Sequence, residues 1–172
     1  MQWVVESYFD ALTSEDSARA PFAADCVRHE TGVRTTGNTE PLELVLPANT
    51  PADDRERMNI LMRRMSVLSC TQQVDSGLFA SLWKVWPRRP IVVDEEKGLV
   101  AAFPLFIQNG DVRASPLKGY PGVDRLANPL PFTTQWLEIF KIHSGQIHEI
   151  GAPVFIPLSF GTGNGWDAGS GL

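Results

Sequence analysis

Trp136, Glu138 and Phe140 occupy alternate positions in TQWLEIFKIHSGQIHEIGAPVF, so a strand here sets a carboxylate between an indole and a phenyl ring on one face. A carboxyl group in such company loses hydration, its pKa rises, and it can work as a general base or acid near neutral pH. Glu138 is therefore the leading catalytic candidate. The competing reading pairs it with an arginine, or with Lys141, at the rim of a sheet. Ser144-Gly145 has the composition of a two-residue hairpin turn. That turn places Ile142 opposite Ile147, Phe140 opposite Glu149 and Glu138 opposite Gly151. Glu149 then becomes a second, diagonal carboxylate nearer the turn, where solvation is its simpler role.

His29 is in step with Val27 and Thr31 in CVRHETGVRTTGN, so an inward Val27 would bring His29 inward as a proton shuttle. A hydrogen-bonded structural histidine is the plainer alternative. Arg88 and Arg89 precede Pro90 at a strand entrance, and neighbours on a strand face opposite ways. One of them can enter a pocket to hold a carboxylate, a phenolate or a developing oxyanion, unless both are surface residues. Asp75 is a further acid candidate with an ordinary explanation as a cap or turn residue. Tyr8 could donate a phenolic proton from the first helix or simply fill the core. Trp83, Trp136 and Phe140 would make an apolar wall for a ligand, with Tyr120 contributed by a loop. His143 and His148 fall on the face opposite Glu138. The spacing of the histidines gives no metal set, and Cys26 and Cys70 form no CxxC pair, so no metal is expected and both cysteines read as reduced packing residues. GxSxG, Walker, Rossmann and HExxH motifs are absent from the sequence, which leaves phosphoryl transfer, dinucleotide chemistry and HExxH proteolysis without support.

The elements that must position these residues follow from periodicity. Trp3, Val4, Val5, Tyr8, Phe9 and Leu12 form a helical stripe, and Ser14-Glu15-Asp16 restarts a short helix. CVRHETGVRTTGN alternates around Thr31-Gly32 as a short strand or hairpin. Thr50-Pro51-Ala52-Asp53 reads as a helix start, and Met58, Leu61, Met62, Met65 and Leu68 carry that helix from about Pro51 to Ser69. Its methionine stripe is read as packing. RRPIVVDEEKGLVAAFPLFIQ reads as a hairpin turning at Asp94 to Gly98, and the Ser144-Gly145 hairpin adds two more strands to one antiparallel sheet. Residues 109–131 lack a sustained period and are expected to be a lid or contact loop, and the Gly-rich tail 161–172 to be loosely ordered.

The 172 residues are expected to form a single domain large enough for its own core. A net charge of −5 argues against nucleic acid as a partner. No apolar run reaches the length of a membrane span and MQWVVESYFD lacks the features of a signal peptide, so the expected location is cytoplasmic.

RRPIVVDEEKGLVAAFPLF, WLEIFKIHSGQIHEIGAPVF, the ending GTGNGW and the opening YFDALTSEDSARAPFAADCVRHETG together resemble the SnoaL-like branch of the nuclear transport factor 2-like superfamily. The sequence departs from that pattern at Gly151, where a Glu is common, and at Ser159-Phe160-Gly161, where Pro-Tyr-Gly is usual. The resemblance implies an α+β fold: a cone-shaped, curved antiparallel sheet whose concave face is covered by the N-terminal helices, often dimeric through its outer face. It also implies cofactor-free acid/base chemistry, as in lyases and isomerases, on a small aromatic or polycyclic molecule. The rival expectation is a non-catalytic ligand-binding or dimerisation module of the same fold.

Overall fold

The computed structural model describes residues 1–89, 91–108 and 131–159, with the side chains of residues 54 and 57 left aside. The loop expected over 109–131, apart from Pro131, lies outside the described residues, as do Tyr120 and the tail.

Helix α1 (Gln2–Ser14) forms where apolar residues recur at three and four, and it buries Val4, Val5, Tyr8, Phe9 and Leu12 against the sheet. Trp3 leaves the expected stripe and is 62% exposed. A single 3-10 turn, Ser17–Arg19, replaces the second helix expected there. Next come β1 (Phe22–Glu30) and β2 (Val33–Arg34), a tight hairpin through Thr31 and Gly32, both at positive φ.

Helix α2 (Ala52–Met65) is shorter than the periodicity suggests, and its start carries no side-chain cap from Thr50. Its Leu61 and Met65 pack with Ile60, Leu68 and Leu78 in a satellite cluster, so of the methionine stripe Met65 is packing, while Met58 is exposed. The chain then restarts as α3 (Cys70–Asp75). Ser69 and Gln72 form a reciprocal capping box that begins it.

Six further strands complete the sheet: β3 (Leu82–Val85), β4 (Ile91–Asp94), β5 (Leu99–Ala102), β6 (Leu105–Gln108), β7 (Phe132–His143) and β8 (Gln146–Leu158). Both expected hairpins are present, β4 with β5 and β7 with β8. The second turns on Ser144 and Gly145, at φ 50 and 77, the positive-φ pair that matches strand twist in a two-residue turn. Strands β5 and β6 run along β7 in succession, separated at Phe103-Pro104 because proline has no N–H for the ladder. The Pro104 carbonyl still accepts from Trp136 N at 3.0 Å and keeps the two segments in line.

The order across the sheet is β2-β1-β8-β7-β5-β4, with β3 joined to β6 and β6 to β7. One pairing differs from expectation: β1 runs parallel to β8, so the sheet is mixed. About two thirds of the chain separates these strands, and no tight turn dictates their direction. Register shifts in β1–β8 and β7–β8 bend the strands into a curved layer. Helix α1 lies on the inner face, over Val100, Phe140, Ile147 and Ile150. The fold is α+β, the curved sheet and covering helix that the SnoaL-like resemblance implies.

Gly98, ending the β4–β5 turn, sits at φ 67, and a Cβ added there would stand 2.5 Å from the Ile142 carbonyl oxygen, which belongs to the neighbouring backbone. Gly98→Ala is expected to cost roughly 1–3 kcal/mol through left-handed strain and that clash. Urea unfolding checks it, and a change within a few tenths of a kcal/mol would contradict the geometry.

Candidate active site

Alternation along β7 sends Glu138, Phe140 and Ile142 inward and Ile139, Lys141 and His143 outward. Glu138 is completely buried. Its Oε1 accepts from Arg28 Nη2 at 2.9 Å and from the Tyr8 hydroxyl at 3.3 Å, and its Oε2 has no hydrogen-bond partner among the described residues. Arg28, 4% exposed, also donates through Nε to Glu30 at 2.6 Å and through Nη1 to the Tyr8 oxygen. Three segments remote in sequence therefore meet in one buried trio: Tyr8 from α1, Arg28 from β1 and Glu138 from β7. Phe140 closes it from the side, its ring 5.1 Å from that of Tyr8.

Burial sets the electrostatics. It raises the Glu138 carboxyl above the ordinary carboxylate range, a rise that the Arg28 charge opposes without cancelling. Burial likewise raises the Tyr8 phenol well above its usual value. Desolvation alone would lower Arg28, but Tyr8, Glu30 and Glu138 around it more than compensate and hold it charged. The trio therefore combines a fixed cation, a protonated phenol and a carboxyl whose proton is held more tightly than in water.

A narrow hollow adjoins the trio, lined by Tyr8, Arg28, Thr36, Cys70, Gln73 and Phe79 among others, with about 10 Å³ open to the centre of a water molecule. That is room for about one water. The open pocket expected beneath the helices is, in this state, nearly filled by packing.

Several expected site residues lie elsewhere. His29 does not face inward, because Val27, with which it is in step, lies on the outer side of β1 beside Glu149. Cys26 and Arg28 point into the core, while His29 stands on the outer face, its Nδ1 3.6 Å from Glu149 Oε1. Glu149 is likewise not on the Glu138 face: it pairs with Lys141, Phe140 pairs with Ile150, and Ile139, not Glu138, pairs with Gly151, because β8 carries an extra residue at the irregularity between Lys141 and Ile142. Arg88 does not reach the trio; it binds Glu6 at 3.1 Å and Asp10 at 2.5 Å on the outer flank of α1. Arg89 is exposed on the same flank, near the Gln2 side chain. Asp75 accepts from the N–H and hydroxyl of Ser17, both at 2.8 Å, capping the 3-10 turn. Trp83 is 61% exposed in a surface groove with Trp86 and Lys84, so it makes no wall around Glu138. Trp136 keeps to the inner side, stacked on Phe155 with centroids 5.0 Å apart and donating to Thr134 Oγ1 at 2.7 Å. Of the expected set, the structure brings together Glu138, Tyr8 and Phe140.

The rim pairing considered for Glu138 is replaced by a buried one with Arg28, which sequence reasoning missed. Its one local clue was alternation from an inward Cys26, which puts Arg28 on the same face; nor are the cysteines reduced packing residues. Cys26 and Cys70 form a disulfide across 44 residues, tying β1 to α3. Among the described residues no three His, Cys, Asp or Glu side chains are grouped to hold a metal ion, and no helix is long and apolar enough to cross a membrane.

A curved α+β sheet with an ionisable trio under its first helix defines the class, and sequence comparison supplies the family. Residues 1–154 match the family described as a domain of unknown function, DUF8021, and the chain belongs to it. No curated protein sequence matches. Among solved structures, the chain is similar to a protein of unknown function with cystatin-like fold from Methylobium petroleophilum PM1 (14% identity, 94% of this chain and 79% of that one, TM-score 0.49). It is also similar to IdmH from Streptomyces antibioticus, proposed to be a polyketide cyclase (18% identity, 91% and 90%, TM-score 0.48). A third is an LEH-like epoxide hydrolase from M. tuberculosis (16% identity, 87% and 77%, TM-score 0.41). At such scores none of these likenesses assigns a reaction or a residue role to this chain.

Proposed function

We propose that the protein is a cofactor-independent acid/base enzyme acting on a small molecule with an aromatic ring. The observation that carries this reading is Glu138 Oε2, fully buried, without a partner, and held beside a cation and a phenol. In that arrangement Glu138 takes or gives the proton, Arg28 stabilises negative charge developing on a carbonyl or phenolic oxygen, and Tyr8 supplies a hydrogen bond to the same oxygen. Proton abstraction of this kind leads to elimination, isomerisation or C–C cleavage. The present hollow is too small for any aromatic ring, so admission requires the wall around Gln73, Val74 and Phe79 to yield. Screening the purified protein against aromatic carbonyl compounds, with Glu138→Gln in parallel, tests the reading. Turnover by the parent and not by the variant is expected; equal turnover by both would remove Glu138 from the chemistry.

A binding or dimerisation module is the second reading, and one surface favours its dimeric part. Val92, Ala101, Ile139 and Gly151 form a row of register partners across the outer face, with Val92 60% and Ile139 38% exposed. A second copy seated there would be broken by Ile139→Glu. Light scattering is expected to show a dimer in the parent and a monomer in the variant, and a parent that is monomeric at high concentration would discard the pairing. A Cys26–Cys70 disulfide favours an oxidising compartment over the cytoplasm, which was expected from the lack of a membrane-length apolar run and of signal-peptide features.

A further inference from the structure

We propose that the Cys26–Cys70 disulfide is a positioning element for Arg28, locking α3 against the segment that grips the arginine's backbone. The inference rests on reading Tyr8, Arg28 and Glu138 as the reactive centre. The grip is double. Arg28 N donates to Thr36 Oγ1 at 2.6 Å, and Thr35 N donates to the Arg28 carbonyl at 2.8 Å. That segment is held in turn from above by α3. Gln73 Nε2 donates to the Thr35 carbonyl at 2.5 Å and to the Met65 carbonyl at 3.2 Å, and Thr36 Oγ1 lies 3.9 Å from Cys70 Sγ.

Helix α3 has six residues, too few for its own hydrogen bonds to keep it helical. Its place depends on tertiary ties, and the covalent one ends on Cys26, two positions before Arg28 on the same inward side of β1. The loop is thereby closed: Cys26 to Cys70 through sulfur, α3 to Thr35 and Thr36 through hydrogen bonds and contact, and those threonines back to Arg28. Thr36 is fully buried and Gln73 nearly so, which leaves little water to substitute for a lost bond. Both cysteines are buried as well, at 5% and 4% exposure, so attacking thiols do not reach the bond and it serves as a standing fixture.

The test replaces both cysteines with alanine and, separately, changes Thr36 to Val with the disulfide intact. Two readouts are used, amide hydrogen exchange and the spectroscopic titration of Tyr8. The chain has two tyrosines, so a Tyr120→Phe background leaves Tyr8 alone in the signal. In the double alanine variant, amides of residues 26–36 and 70–75 are expected to exchange about 100-fold faster while those in the centre of β7 and β8 keep their rates. Tyr8 is expected to ionise at lower pH as water enters, burial being the main cause of its raised value. Thr36→Val should reproduce the Tyr8 change with the sulfur bond in place, and Thr36→Ser should restore the parent titration. Uniform acceleration of every amide would make the disulfide a general staple and overturn the proposal. Unchanged exchange near Arg28, or a Tyr8 titration that moves in neither variant, would overturn it as well. Neither readout uses turnover, so a protein that proves non-catalytic and a disulfide that positions nothing give different results.

Discussion

Arg28→Met is expected to lower the free energy of unfolding by about 3–5 kcal/mol near neutral pH, because it leaves the buried Glu138 carboxylate without its counter-charge. The loss should depend on pH in a particular direction. Glu138 binds its proton more readily in the folded protein than in the unfolded chain, since burial raises its pKa. A group shifted upward contributes its full stability below the ordinary carboxylate range and loses that contribution as pH climbs through the raised value. Arg28 opposes the rise, so its removal moves the folded value further up and widens the window. The variant should accordingly recover part of its deficit in mild acid, where Glu138 is neutral. Adding Glu138→Leu to Arg28→Met should recover much of the rest, since replacing both members of a buried pair with apolar groups is far cheaper than removing one. Urea unfolding of the parent, the single and the double variant at neutral and mildly acid pH measures all of this. Equal losses at both pH values would show that Glu138 does not carry the charge on which the argument turns.

Glu138→Gln is expected to reduce turnover of a substrate found by screening by about 10²–10⁴-fold. The amide keeps the shape of the carboxyl group, and its oxygen can still accept from Arg28 and Tyr8, so the fold and the apolar contacts with Phe140 should be retained. What disappears is the capacity to take up a proton. A loss confined to kcat, with KM little changed, is the signature of a group that acts on the reacting bond, whereas a rise in KM alone would make Glu138 a binding residue. The parent's pH–rate profile should also carry a limb above the usual carboxylate range, missing from the residual activity of the variant.

How much of this could be read in the sequence depends on how local each signal was. The β4–β5 and β7–β8 hairpins were visible because each is written in a contiguous stretch: a turn able to adopt positive φ between runs of strand-forming residues. Glu138 was visible for the same reason, as an acid on the aromatic face of an alternating strand. Arg28 was hidden by the choice of phase. Alternation counted from an inward Val27 sends His29 in and its neighbour out, whereas Cys26 and Arg28 are the residues that face the core. Helix α3 was in reach through the cap residues Ser69 and Gln72, but the apolar stripe of the preceding helix, continued to Leu68, carried that helix past its actual end at Met65. The disulfide joins residues with no recognisable spacing, and the parallel partner of β1 is more than a hundred residues away, so neither leaves a mark that a single sequence displays. Arg88 had the right chemistry in the wrong place: only the path of α1 shows that Glu6 and Asp10 already occupy it.

The side-by-side pairing of β1 and β8 bears on how the protein comes into being. A ribosome releases β1 early, yet its partner strand and Glu138 emerge only after most of the chain has been made, so Arg28 must wait with its charge and an unzipped strand edge in solvent. Closing so long a loop before any reward arrives makes for slow acquisition of the native state and a nascent intermediate prone to sticking. The trio of Tyr8, Arg28 and Glu138 is therefore assembled late in synthesis, and a chain halted before β7 would lack it.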